Sequence, residues 1–467
     1  MSAFRTIAGF LVAWACSAST AHAAEGSPGL PVDFSGYLRF DKRFVVETEN
    51  GTLADGVPQF PMYHQAFVQL KAQPSSNVEA KLSGVLRFYD FMVAEDLAGL
   101  QRPGGGSPLE PLLWDAYVDI FGLGTSRLDL RIGKQRIAWG TADRFNPTDN
   151  LNPLDLTDFM SFGERVPSWA LKADFTVFEE KLQLTGVLLA GPSAVLLPRY
   201  ANLPIASAMT GSMELPPGVT LGDVAVAFRK PPYDGRHTMQ ALKAHGSLEG
   251  VDWSLSYFHG YMDLPIQTHV KIDVASFSPP TVDVVATTEL PEEHVLGADL
   301  AGELFTVGWW AEAAVTFPKE VRTTYESALF AREPEVVLSK QPYVKYTVGV
   351  DYTMPWATYV NFQFMQGFFT ERSWRQLDHY FLLTLRHKFL NEALALQASV
   401  MWETDQFRDI AHNYGVVFMP ELSWKPYDGI DLIVGYLGVY TRVSPGNSLT
   451  LDMYKDDQAY LKVKASF

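Results

Sequence analysis

The sequence predicts an all-β protein, a transmembrane antiparallel up-and-down β-barrel of about 18 strands, with 16 strands as the alternative. Three observations support this fold. Apolar and polar residues alternate with a period of two along most of the chain, short and long connections alternate between these segments, and the first residues resemble a secretory signal peptide. We therefore expect a signal peptide at residues 1–23 and a single barrel domain at residues 24–467.

The period-two alternation gives each predicted strand one apolar and one polar face. In the segment 344–352, Val, Tyr, Val, Val and Tyr alternate with Lys, Thr, Gly and Asp. The polar faces carry both signs of charge, and the pattern continues for over 400 residues without a linker. A membrane barrel has this arrangement, with lipid against the apolar face and polar groups inside. The predicted lumen charges are Lys81, Arg87, Asp129, Arg131, Lys345, Asp351, Lys462 and Lys464.

Connection lengths provide an independent test of the barrel prediction. Tight turns alternate with long stretches, as in bacterial barrels with short periplasmic turns and long external loops, and this pattern places both termini in the periplasm. The loops at 191–235, 263–292 and 318–340 are among the long ones. We predict strands at 32–46, 60–73, 76–91, 110–121, 127–138, 166–177, 180–190, 236–248, 251–262, 293–305, 306–317, 341–354, 358–370, 378–389, 392–403, 411–424, 428–441 and 456–467.

The first 23 residues have the three parts of a signal peptide. Arg5 is the positive charge, residues 7–18 are apolar, and Ala21 and Ala23 fit a cleavage site after Ala23. Cleavage would remove Cys16, the single cysteine, so no disulfide or thiolate metal site would remain. A lipoprotein modified at Cys16 is the alternative, although the Trp two residues earlier fits a lipid-attachment site poorly. Export predicts the outer membrane of a Gram-negative bacterium.

Composition narrows the possible partners. The net charge of −16 excludes broad binding to nucleic acid phosphates. The sequence contains no run of about 20 apolar residues, so it predicts no membrane-spanning helix. The aromatic content of 13% is typical of a membrane barrel, in which aromatic side chains form girdles at the two membrane interfaces. We expect contacts with outer-membrane lipid and lipopolysaccharide, and a homo-oligomer is an open alternative.

The chain ends in a strand whose alternation runs to Phe467. This ending resembles the terminal strand that the barrel-assembly machinery recognises in outer-membrane proteins. The alternative is an ordinary final strand that stops at a phenylalanine.

The densest motif lies between residues 131 and 155. It begins as a strand, leaves the alternation at Trp139-Gly140, and continues through two Asn-Pro steps. Proline lacks a backbone donor and restricts the residue before it, so this stretch cannot pair as a strand. We expect it to form an inward-folded segment at residues 139–165 that narrows the lumen.

The run from Gly133 to Asp155 resembles the signature of porin-like outer-membrane proteins that are common in Proteobacteria and known chiefly as a family of unknown function. The shared pattern is Gly-Lys-Gln, Trp-Gly, Asp and then Asn-Pro-x-Asp. Some relatives are linked to transport of hydrophobic or carbohydrate molecules, and the resemblance implies a constriction or plug here. An alternative is that these residues only pin the loop to the wall. With Arg144 and Asp149 of the same stretch, the predicted site is Gln135, Trp139, Gly140, Asp143, Arg144, Asn146, Pro147, Asp149, Asn152, Pro153 and Asp155.

These observations predict a passive, porin-like channel for small or hydrophobic solutes. The sequence contains no Gly-x-Ser-x-Gly, His-Glu-x-x-His or phosphate-loop motif, so we expect no catalytic residues, no metal site and no cofactor. Two other functions stay open, a barrel enzyme acting on lipid and a scaffold for an envelope export complex.

Overall fold

The computed structural model describes most of the chain downstream of residue 31. The predicted signal peptide lies outside the described residues, as do parts of several predicted loops. Within the described part, no helix has the length and apolar character needed to cross a membrane. The described residues are 32–47, 62–89, 109–179, 181–196, 217–327, 331–405, 407, 410–444, 449–451 and 457–467.

The described residues form strands and one short 3-10 turn at Phe159–Ser161. In chain order the strands are β1 (Val32–Glu47), β2 (Tyr63–Ser75), β3 (Val78–Tyr89), β4 (Leu109–Ile120), β5 (Leu128–Gln135), β6 (Ser168–Phe178), β7 (Leu182–Leu189), β8 (Thr220–Arg229), β9 (Met239–Leu248), β10 (Val251–Tyr261), β11 (Ile266–Phe277), β12 (Pro280–Glu289), β13 (Glu292–Leu304), β14 (Val307–Pro318), β15 (Val321–Ser327), β16 (Glu335–Leu338), β17 (Tyr343–Thr353), β18 (Thr358–Gln366), β19 (His379–Phe389), β20 (Leu394–Thr404), β21 (Tyr414–Tyr427), β22 (Ile430–Arg442) and β23 (Asp457–Ser466).

Eighteen of these strands form one closed antiparallel sheet, which confirms the predicted fold and strand count. Each barrel strand pairs with the next barrel strand along the chain, and β1 pairs with β23 to close the ring. At this seam, Gly36 and Phe467 exchange two backbone hydrogen bonds of 2.9 and 3.0 Å. The Phe467 ring also stacks on Phe34 at 5.5 Å. Closure satisfies the backbone groups that an open sheet edge would expose to lipid.

The two faces of the barrel have the polarity that the alternation predicts. Aliphatic side chains such as Leu82 and Val344 point outward and are 50% and 43% exposed. Charged side chains on the other face are buried, with Glu312 only 2% exposed. Apolar groups outside and charged groups inside are the inverse of a soluble protein, and the arrangement suits a barrel surrounded by lipid.

Short turns alternate with long connections around the ring. The turn between β9 and β10, for example, consists of Glu249 and Gly250, both in the left-handed region with φ of 52° and 82°. Two such residues form the type of tight turn whose twist matches that of the flanking strands. Because consecutive barrel strands run antiparallel, the short turns between them lie at one rim, opposite the long connections.

The prediction of plain loops at 191–235, 263–292 and 318–340 was wrong. The parts of these loops that the structure describes contain strands β8, β11, β12, β15 and β16, which form a five-stranded sheet in the order β16-β15-β11-β12-β8. Three neighbouring loops contribute to this sheet, whose small core includes Val270, Ile272 and Val284. Isolated hairpins are only marginally stable in water. Packing within this shared sheet therefore stabilises the strands of the three loops.

Candidate constriction site

Residues 136–167, which we name the inward segment, lie inside the barrel. The segment contacts wall strands on widely separated parts of the ring: Asp158 bonds Arg43 of β1, and the Phe145 carbonyl accepts a 3.2 Å hydrogen bond from Thr347 of β17. A segment that touches both sides of a closed ring must cross its interior. The inward segment includes residues 139–165, for which the sequence predicts an inward fold.

Asn152 closes the base of the inward segment. Its side-chain oxygen accepts a hydrogen bond of 2.8 Å from the Ile137 backbone N–H, while its amide nitrogen donates to the Val166 carbonyl at 3.2 Å. One side chain thus joins the two ends of the segment. Asp149 adds charge pairing, since it accepts from Arg136 and lies 3.4 Å from the Arg165 guanidinium. The Asn-Pro-x-Asp stretch is therefore the internal brace of the segment.

Glu312 of β14 holds the tip of the segment. One carboxylate oxygen accepts hydrogen bonds from the backbone N–H groups of Thr141 and Ala142 at 3.0 and 3.2 Å. The other accepts from the Thr148 N–H and hydroxyl, each at 2.8 Å. Gly140, with φ of 86°, makes this approach possible because a Cβ there would lie 2.4 Å from a Glu312 oxygen. The Glu312 carboxylate therefore pairs backbone N–H groups of the inward segment that would otherwise lack a partner, and it fixes the segment to the wall.

The opposite side of the segment is held by buried ion pairs. Arg43 forms a two-pronged pair with Asp158, with N–O distances of 2.8 and 2.7 Å, and its other edge bonds Asp41. Burial would raise the pKa of Asp158, but the Arg43 guanidinium holds that pKa well below its usual range. Arg87 of β3 donates to the Asp155 carboxylate through one guanidinium nitrogen and to the Thr157 hydroxyl, at 3.3 Å, through another. Removing one partner of such a pair leaves a buried charge, so these contacts fix the position of the segment.

Aromatic packing joins the inward segment to the loop between β18 and β19. The ring of Phe145 stacks on Phe369 at 4.8 Å and contacts Phe368 at 5.3 Å. The same loop is tied to the connection that follows β10, because Arg372 donates to Asp263 at 2.7 Å. Two elements, rather than the one predicted, therefore fill the interior at this level.

The predicted site residues divide into braces, wall contacts and exposed groups. Gln135 is fully buried and donates to the Ala170 carbonyl at 3.0 Å, Pro153 accepts from Val166, and Asp155 bonds Arg87. Asn146 donates to the Ala142 carbonyl, and Pro147 accepts from the Asn150 side chain. Trp139 is buried, whereas Asp143 and Arg144 are exposed. Most of the motif fastens the segment, and the fastened segment occupies the lumen.

The eight predicted lumen charges lie on the inner face, and each has a hydrogen-bond, ionic or cation–π contact. Lys81 pairs with Asp115 at 2.9 Å and Arg131 with Asp119 at 2.6 Å. Arg87 and Lys345 are buried under the inward segment and the β18–β19 loop. The remaining contacts are Lys345 to the Phe368 carbonyl, Asp129 to the Gly122 N–H, Asp351 to the Tyr359 hydroxyl, Lys462 with Glu421, and Lys464 over the Tyr37 ring.

A compact acidic cluster lies where the β18–β19 loop enters β19. The carboxylates of Glu371, Asp378 and Glu403 place oxygens within 4.8 Å of one another, and all three are buried. The Tyr380 hydroxyl contacts both Glu371 and Glu403. Burial, together with the charges of Glu371 and Glu403, raises the pKa of Asp378 to about 8.

We expect the β18–β19 loop to loosen as the pH rises through about 8. The folded protein holds a proton on Asp378 that the unfolded chain releases near pH 4, so the stabilising protonated form is lost on the alkaline side. Trypsin cleavage after the exposed Arg375 should be faster at pH 9 than at pH 7, relative to Asp378→Asn measured at both values. Equal pH dependence in the two proteins would contradict the assignment.

Sequence reasoning missed Glu312, Arg43 and the contribution of the β18–β19 loop. Glu312 is the one acidic residue of β14, between Ala311 and Ala313. An isolated acid in an otherwise apolar strand was a usable signal. Arg43 and the loop carried none, because their partners lie far away in the sequence.

Comparisons with known proteins agree with this architecture. The family described as "Protein of unknown function (DUF1302)" matches residues 69–198, a stretch that contains the whole inward segment. No curated protein is similar in sequence. Solved structures with a similar fold include OccAB4 of Acinetobacter baumannii, 8% identical with a TM-score of 0.51, over 94% of this chain and 100% of that chain. OpdK of Pseudomonas aeruginosa, solved with vanillate, is also 8% identical with a TM-score of 0.51, over 94% of this chain and 100% of that chain. This chain therefore has the fold of porin-like outer-membrane barrels.

Proposed function

We propose that this chain is a channel in the outer membrane of a Gram-negative bacterium, through which small or hydrophobic solutes pass passively. The observation that carries the proposal is an 18-stranded closed ring with a polar segment braced across its interior. Barrels of about 16–18 strands are too wide for side chains to fill, and they leave an aqueous lumen. A fixed inward segment narrows that lumen and gives it selectivity.

The fold of the similar structures supports a channel. OccAB4 and OpdK have the closed β-barrel architecture of outer-membrane porins. OpdK was solved with vanillate, a small aromatic carboxylate. Small aromatic acids are therefore suitable first solutes for this chain.

Permeation into liposomes tests the proposed function. Vesicles that contain the purified folded protein should admit a small sugar and benzoate while excluding a large dextran. Vesicles that contain heat-unfolded protein are the control. Vesicles impermeable to every solute would contradict the channel. Lipid hydrolysis products would favour the barrel enzyme, and a sealed barrel that captures a periplasmic protein would favour the scaffold.

A further inference from the structure

A cleft of about 320 Å³ opens between the inner wall and the start of the inward segment. We name it the basic cleft. It is lined by strands β5, β6, β7 and β9 on one side and by residues 136–139 on the other. Its volume lies at the lower end of the range of about 300–1,000 Å³ that is typical of small-molecule sites. The lining includes one acid, Asp174, and five basic side chains: Arg131, Arg136, Lys172, Lys243 and His245.

The strand register concentrates these basic groups at a cost in stability. Arg131 of β5 stands directly opposite Lys172 of β6. Like charges in directly opposed positions destabilise a sheet. Two strands further along, Lys243 stands opposite Thr185, and His245 stands opposite Gln183. Arg131 and Lys172 each have an acidic partner, Asp119 and Asp174, that offsets this repulsion, so the capacity of the cleft for an anion depends on the basic groups that are less fully paired.

Neutralisation of the basic groups is uneven. Arg131 and Lys172 have acidic partners at 2.6 and 2.7 Å, and Arg136 is bonded to Asp149. Lys243 differs, because its partner Asp299 stands 3.8 Å away. The Asp299 oxygen at that distance also accepts a hydrogen bond from Ser254. An ammonium group can donate three hydrogen bonds, so Lys243 keeps capacity for an incoming anion.

The wall beside Lys243 is apolar. The Lys243 ammonium lies 5.8 Å from the centre of the Trp139 ring, and Ile137 and Ala138 complete this side of the cleft. An anion bound at the ammonium would therefore place its uncharged part next to an indole ring. A fully hydrated inorganic ion makes no use of such a surface.

We propose that the basic cleft binds a small organic anion, with its carboxylate at Lys243 and its apolar or aromatic part against Trp139. The inference rests on the proposed channel function, since it names the class of solute that the channel retains on its way through. Trp139 then contributes to specificity as well as to the seating of the inward segment.

Binding can be measured separately from conduction. Equilibrium dialysis of the folded protein in detergent should show saturable binding of benzoate and none of benzyl alcohol, which has the same ring without the charge. Lys243→Met should weaken benzoate binding by about tenfold, the loss expected for one charge-assisted hydrogen bond. Lys462→Met is the matched control, because Lys462 is an inner-face lysine of β23 outside the cleft. This control should change binding by less than about twofold.

The outcomes separate the site from the channel. Saturable benzoate binding that is lost in Lys243→Met supports the site, even if the protein conducts no solute and the channel proposal fails. Absence of saturable binding, equal binding of benzyl alcohol, or equal loss in both lysine variants would overturn the site while leaving the channel intact. The comparison of benzoate with benzyl alcohol uses the unmodified protein, so it decides the question if Lys243→Met does not fold.

Discussion

Deleting residues 141–155 and joining the ends with a short Gly-Ser linker is expected to raise the single-channel conductance severalfold. These residues include the tip of the inward segment, which reaches from Glu312 on β14 to Arg87 on β3. Removing them takes polypeptide out of the lumen and leaves the strand pairing of the wall unchanged. The measurement is conductance of the purified barrel in planar lipid bilayers.

A deletion of equal length elsewhere is the control for this experiment. Removing residues 93–107 shortens the connection between β3 and β4. It should leave the conductance near that of the unmodified protein. A folded 141–155 deletion with unchanged conductance would show that the inward segment does not limit the flow of ions.

Glu312→Ala is the point substitution with the largest expected effect. The Glu312 carboxylate accepts hydrogen bonds from Thr141, Ala142 and Thr148. Each hydrogen bond to a carboxylate contributes about 1.5–3 kcal/mol, and the contributions are not additive. The tip should detach while the ion pairs of Asp155 and Asp158 hold the other side. We expect a noisier current with a higher mean conductance.

Glu421→Ala is the matched control for Glu312→Ala. Glu421 also lies on the inner face, but its partners Tyr460 and Lys462 belong to β23. The control should leave the current noise unchanged. If the two variants behave alike, the loss of a lumen carboxylate, rather than release of the inward segment, explains the result.

The barrel was predictable because lipid imposes one simple rule on every strand. An outward residue such as Val344 must be apolar, and its neighbour Lys345 is then free to be polar. The rule repeats along the chain, so all 18 strands were found even though single boundaries shifted. Strand β5, for instance, ends at Gln135 rather than at the predicted residue 138.

The interior contacts and the sheet above the rim were harder to predict for physical reasons. The pair between Arg43 and Asp158 joins residues 115 positions apart, and no local pattern encodes it. Apolar and polar residues also alternate in strands β11 and β12. These strands were not predicted, because the strands found elsewhere already gave the even number that a barrel requires. The Asn-Pro motif predicted that the chain leaves the wall, whereas the partners that hold it there are set by the tertiary fold.

The inward segment lies against the inner face of the wall, and an engineered disulfide tests this position most directly. A Cβ placed on Gly297 of β13 would lie 3.1 Å from the Cβ of Thr148, slightly below the range of about 3.5–4.5 Å that a disulfide spans, so a small shift of the inward segment away from β13 would accommodate the bond. The single native cysteine, Cys16, belongs to the predicted signal peptide. In membranes, oxidised Gly297→Cys/Thr148→Cys should form an intramolecular crosslink in high yield, detected by proteolysis between the two sites. Two free thiols in the folded, oxidised barrel would contradict the account.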